Sequence, residues 1–158
     1  MADHPLHLLD TNVLVALIRA GALGQHIDTT YQPRQAKFKP LVSVVSVGEM
    51  QSLARQFAWG PKKIAEISKL VENLVVEDIS SPDILAAYGE IDHASRENGR
   101  KMGKNDVWIA ATAKVTGATL LTTDRDFDHL CGTSTLYKPG GPAIGLIWID
   151  SELGKPKI

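Results

Sequence analysis

One cysteine, Cys131, is all this chain carries in 158 residues. An intrachain disulfide and a cysteine-rich zinc site are thereby excluded. The chain also lacks charge of either sign in excess. Its formal net charge is -1, which offers no global attraction to polyanions, so binding of nucleic acid requires a local basic patch. No apolar run approaches the roughly 18 residues that span a bilayer, and Met1-Ala2-Asp3-His4-Pro5 has neither the basic nor the apolar stretch of a secretory signal. These absences suit a soluble protein of a reducing cytoplasm, away from membranes. Internal repeats, low-complexity tracts and interdomain linkers are absent too, and the length suits a single domain over residues 1–158.

Short apolar runs alternate with helical patterns. Leu6–Leu9, Leu41–Val45, Val75-Val76, Thr119–Thr122 and Gly145–Ile149 read as strands. Val13–Ile18 reads as a buried helix closed by Gly21 and Gly24, and residues 25–40 carry no clear pattern. Ser46-Val47-Gly48-Glu49 has capping-box spacing and opens a helix to about Trp59, which Gly60-Pro61 breaks. Ile64, Ile67, Leu70, Val71 and Leu74 recur at helical spacing. Ser81-Pro82 caps a helix whose buried face is Ile84, Leu85, Tyr88 and Ile91. A further helix opens at Asn105-Asp106 and stops at Gly117. Strands alternating with helices predict an α/β fold with a central, mostly parallel sheet.

At four of these junctions stands a carboxylate: Asp10, Glu49, Asp106 and Asp124. Each alone has a structural explanation. Asp10 can cap a helix, Glu49 can reach back to the Ser46 amide, Asp106 is a first-turn acid and Asp124 suits a turn. Together they predict more. In an open parallel sheet the strand C-termini share one edge, and ligands bind in the crevice there. Acids crowded at one point repel each other unless a cation joins them. One or two Mg²⁺ or Mn²⁺ ions match this oxygen-rich set, and such ions acidify water and stabilise both oxygens of a phosphoryl transfer. Asp10 and Asp106 are the first choices for direct contact, with Glu49 and Asp124 completing the set. Asp124-Arg125-Asp126-Phe127-Asp128 resembles the first half of a calcium loop, but His129 and Thr135 fill the positions that need Gly and Glu. Asp128, four residues beyond Asp124, can assist it; Asp126 reads as solvated.

The pieces Leu8-Leu9-Asp10-Thr11-Asn12-Val13-Leu14, Ser46-Val47-Gly48-Glu49, Asn105-Asp106-Val107-Trp108-Ile109-Ala110-Ala111 and Leu120-Leu121-Thr122-Thr123-Asp124-Arg125-Asp126-Phe127 resemble, in order and spacing, a PIN-domain ribonuclease, above all the VapC-type toxins of prokaryotic toxin–antitoxin pairs. The resemblance spans residues 6 to about 130. It implies a three-layer α/β/α sandwich and metal-dependent cleavage of tRNA, rRNA or mRNA. It also implies a homodimer, a cognate antitoxin, and a metal site of Asp10, Glu49, Asp106 and Asp124 supported by Thr11, Asn12 and Thr122. The segment 25–40 and the tail after Tyr137 are longer than a compact toxin needs.

An RNA substrate needs positive charge near the acids. Arg96, Arg100, Lys101 and Lys104 fall within nine residues that hold one acid, Glu97. Lys104, two residues before Asp106, is the best placed; the bland alternative is a solvated basic helix end. Trp108 reads as core, Trp148 as core or interface, His129 as a surface residue and Cys131 as a buried thiol. Two other readings compete. One is an RNA-processing nuclease without an antitoxin. The other is a noncatalytic PIN-like module binding RNA or protein, which retention of all four acids disfavours.

Overall fold

The computed structural model describes residues 5–153. Five strands, β1 (His7–Leu9), β2 (Leu41–Ser43), β3 (Val75–Glu77), β4 (Thr119–Thr122) and β5 (Gly145–Trp148), form one sheet in the order β3-β2-β1-β4-β5. Every pairing is parallel. Six α-helices fill the connections: α1 (Thr11–Arg19), α2 (Ala22–Tyr31), α3 (Val44–Gln56), α4 (Pro61–Glu72), α5 (Pro82–Glu97) and α6 (Lys104–Thr116). A 3₁₀ segment, Arg125–Leu130, follows β4.

Side chains of successive strand residues point to opposite faces, and the core divides accordingly. Leu8, Leu41 and Leu120 pack against α5, α6 and Phe127. Leu9, Val42 and Leu121 pack against α1 to α4. The sheet is therefore the middle of three layers, as the resemblance implied.

Several local expectations are corrected. Strand β2 ends at Ser43, and Val44-Val45 wind into α3 despite their β-branching. Ser43 is the N-cap, accepting from the Val45 amide at 3.2 Å, and Ser46 lies inside the helix, so no capping box exists at Glu49. Neither Gly21 nor Gly24 closes α1. Ala20 does so in the left-handed conformation, Gly21 caps α2, and Gly24 lies within it. A Cβ at Gly24 would stand 2.2 Å from the Ala16 carbonyl oxygen; the glycine is there so that α2 can lie on α1. Leu85 and Ile64 face solvent. Ser81, Pro82 and Gly117 act at the helix ends as expected.

Candidate active site

Strand order sets the location. From β1 the chain builds outward to β2 and β3, then returns to place β4 on β1's other side. Between β1 and β4 the connections diverge, which opens a crevice at the strand C-termini. Asp10 leaves β1 there and Asp124 follows β4. Asp106 enters from the first turn of α6 and Glu49 from the second turn of α3. All four line one open cavity of about 340 Å³, with Thr11, Asn12, Val15, Leu53 and Phe57.

Asp10 is buried. Its Oδ1 accepts from the Thr11 amide at 2.8 Å and its Oδ2 from the Thr122 hydroxyl at 2.6 Å. Thr122 Oγ1 in turn accepts from the Asp124 amide at 2.9 Å, so one threonine ties the ends of β1 and β4 together. Asn12 Oδ1 accepts from the Thr123 amide at 3.3 Å across the same junction. Glu49 does not reach back along its helix. Its Oε1 lies 3.0 Å from Thr11 Oγ1, which also meets the buried Ser46 Oγ at 2.9 Å. Thr11, Asn12 and Thr122 thus all hold parts of the junction.

A group of three carboxylates stands out: one oxygen each from Asp106, Asp124 and Asp126 lies within 4.8 Å of the others. Asp126 reads from the sequence as merely solvated. It is exposed, but the chain turns after β4 so that its amide donates to Asp124 Oδ1 at 2.9 Å, and its carboxylate returns to the cluster. Asp128 departs instead: it faces Arg125 at 3.3 Å and does not assist Asp124.

The electrostatics are those of crowded acid. Burial pushes the Asp106 carboxyl up to about 7, with Asp10, Asp124, Glu49 and Asp126 adding in that order. Burial likewise raises Asp10 to about 6, against the lowering effect of its bonds to Thr122 and Thr11. Among the described residues no lysine or arginine is ion-paired to Asp10, Glu49, Asp106, Asp124 or Asp126. Four or five oxygen donors without a protein cation fit a hard divalent ion.

The basic residues divide. Arg96 is engaged by Asp92 at 3.0 Å, and Arg100, half-buried, holds the Ser95 carbonyl through its amide at 2.8 Å. Lys101 and Lys104 are exposed and in no ion pair among the described residues; Lys104 is the first residue of α6. Trp108 is half-buried against Tyr88, ring centroids 4.1 Å apart. His129 is not at the surface: it is 2% exposed, with Nε2 2.8 Å from Ser95 Oγ. Cys131 is half-exposed, not buried.

Known proteins share this fold. Ribonuclease VapC2 of Haemophilus influenzae is 27% identical over 130 residues, covering 82% of this chain and 95% of the relative. The solved structure of VapBC2 from Rickettsia felis, bound to a promoter DNA fragment, superposes with a TM-score of 0.71 at 20% identity over 90% of this chain and 97% of that one. VapBC-5 from Mycobacterium tuberculosis, a toxin–antitoxin system member, gives 0.59 at 20% identity, over 92% and 100%. The structural likenesses speak for the fold. The PIN domain profile matches residues 7–132, a span that begins at β1 and takes in every acid of the cavity, and on that match the chain belongs to the PIN-domain family.

Proposed function

We propose that this protein is a divalent-metal-dependent endoribonuclease and the toxin of a toxin–antitoxin pair. The observation that carries the reading is the cluster of acids delivered by separate elements to one crevice with no protein cation among them. Curated relatives named Ribonuclease VapC support the RNA substrate, and solved toxin–antitoxin neighbours support an antitoxin partner. A homodimer and a cytoplasmic location belong to the same reading.

Asp106, Asp124 and Asp126 would hold one Mg²⁺ or Mn²⁺, with Asp10 and Glu49 beside them for that ion or a second. Such an ion lowers the pKa of water and offsets charge on a phosphate under attack. Thr122 fixes the Asp10 carboxylate and Thr11 that of Glu49, the outer support that keeps ligands aimed. Lys104 stands free to meet a phosphate, Lys101 assists it, Arg96 contributes less because Asp92 engages its side chain, and Arg100 contributes less because it is half-buried.

The test is RNA cleavage by wild type and Asp106→Asn with Mg²⁺, Mn²⁺ or EDTA. We expect at least about a 100-fold loss in the variant, since even outer partners of metal ligands cost 10- to 100-fold, and full loss with chelator. Equal, chelator-resistant cleavage by both proteins overturns the reading. Growth arrest on induction, relieved by a co-expressed neighbouring gene, separates a toxin from a processing nuclease.

A further inference from the structure

Helices α1 and α3 leave the same sheet edge in the same direction, each starting at the C-terminal end of a parallel strand. They pack in register. Thr11 meets Glu49 at 3.0 Å, and eight residues further along both helices Arg19 lies over the Phe57 ring, 4.6 Å from its centroid. Val15 and Leu53, midway along each helix, line the acid cavity between these contacts. Positions 11, 15, 19 and 49, 53, 57 keep a spacing of four, which puts them on one face of each helix. The result is a shallow track of three rungs: polar at the acids, apolar in the middle, cation on aromatic at the end. At 1.5 Å per residue the track is about 12 Å long.

Its far end continues. Phe57 and Trp59 stand 5.6 Å apart between ring centroids, and Lys63 Nζ lies 5.4 Å from the Trp59 ring. Arg19, Phe57, Trp59 and Lys63 therefore form a row of cation, ring, ring, cation. Phe57 is 44% exposed although it is a large apolar side chain. Neither Arg19 nor Lys63 is ion-paired with a carboxylate among the described residues. Aromatic rings beside cations that no carboxylate neutralises suit a single strand of nucleic acid, whose bases stack while its phosphates meet the charges.

We infer that Arg19, Phe57, Trp59 and Lys63 form a stacking subsite for single-stranded RNA, reached from the acid cluster along the α1–α3 track. The inference rests on the ribonuclease reading above. The nucleotide beside the cleaved bond lies over Val15 and Leu53, and a base beyond it stacks on Phe57. The subsite serves only RNA long enough to span the track, so its signature is length.

The experiment measures binding of fluorescent mixed-sequence RNAs of two and twelve nucleotides by anisotropy, in an Asp106→Asn background that prevents cutting. Phe57→Ala should weaken binding of the longer RNA about tenfold and leave the shorter unchanged, while Phe57→Trp restores it. Arg19→Ala should flatten the salt dependence of the longer RNA by about one charge. Equal loss at both lengths overturns the inference, as a general fold effect. Unchanged binding of the longer RNA overturns it too. If wild type cleaves RNA in that case, the nuclease reading stands alone; if wild type neither binds nor cleaves RNA, both fail.

Discussion

Two buried polar clusters flank the turn after β4, and they are built on opposite principles. On one side Asp10 is buried and Asp106 half-buried among other acids, and both carboxyls are raised toward neutrality. On the other, His129 and Ser95 are buried together, 2.8 Å apart. The imidazole is held below its ordinary pKa, first by burial and then by Arg100, which favours the neutral form. The His129 cluster is close to neutral, bonded through Nε2 to Ser95 while Nδ1 is buried without a hydrogen-bond partner among the described residues. The acid cluster differs in kind: it holds charge that the protein itself does not balance. Buried polar groups that are paired serve packing, whereas titratable groups strained by their neighbours mark a functional site.

The largest expected difference between them is a pH slope. Asp106 and Asp10 have folded pKa values of about 7 and about 6 against an ordinary value of 3.8. Between those limits the folded state holds more protons than the unfolded one, so stability falls as pH rises from about 4 to about 7. In chelator the fall should be on the order of 3 kcal/mol, below the full value of the two shifts because solvent screens the half-exposed Asp106 and the two acids titrate together, read by urea unfolding at several pH values. Mg²⁺ or Mn²⁺ should flatten it, because an ion bound only by the folded acids stabilises that state. A flat profile without metal would show that the acids are not strained and would remove the contrast.

How much of this was readable from residues alone depends on how local the cause is. The alternation of strands and helices was legible because fully buried parallel strands are plain apolar runs, as at Leu8-Leu9 and Leu120-Leu121. Asp10, Asp106 and Asp124 were legible because each stands at an element boundary, whereas Glu49, read as part of a capping box, sits in the second turn of α3. Helix α2 was not, because its buried residues are only Gly24 and Ile27, and a glycine used for close packing reads as a breaker. The Ser43 boundary was missed because Val44 and Val45 have strand propensity that tertiary context overrode. Asp126 was missed because its return to the cluster depends on how tightly the chain turns after β4. The rung of Arg19 and Phe57 was beyond reach, since helix register across a packed pair decides it.

Next in size is the sign of a single substitution. At pH 8 in chelator, Asp106→Asn removes an ionised, partly buried carboxylate from among like charges, and should stabilise the fold by about 2 kcal/mol. Below about pH 4 the wild-type carboxyl carries its proton in the folded and unfolded states alike, so the gain should vanish there. A pH-independent effect, or a loss at both pH values, would mean that Asp106 contributes hydrogen bonds that outweigh its charge. Under the proposed function the same variant should lose cleavage at least about 100-fold, so this residue would trade stability for activity.

The His129 cluster should behave in the opposite way. Ser95→Ala leaves the imidazole facing a methyl group and should cost about 1 kcal/mol at pH 8, the usual penalty for orphaning a buried polar atom. His129→Ala should cost more, about 2 kcal/mol, because a cavity is added to the lost bond. Neither side chain lines the acid cavity, so cleavage per folded molecule should stay within about threefold. The closeness of His129 to Asp126 in the same 3₁₀ segment is what makes this informative. If Ser95→Ala instead lowered cleavage tenfold with the thermal midpoint little changed, the bond from α5 would be aiming the Asp124–Asp126 turn at the ion, and the two clusters would have to be regarded as one device with a charged front and a neutral brace behind it.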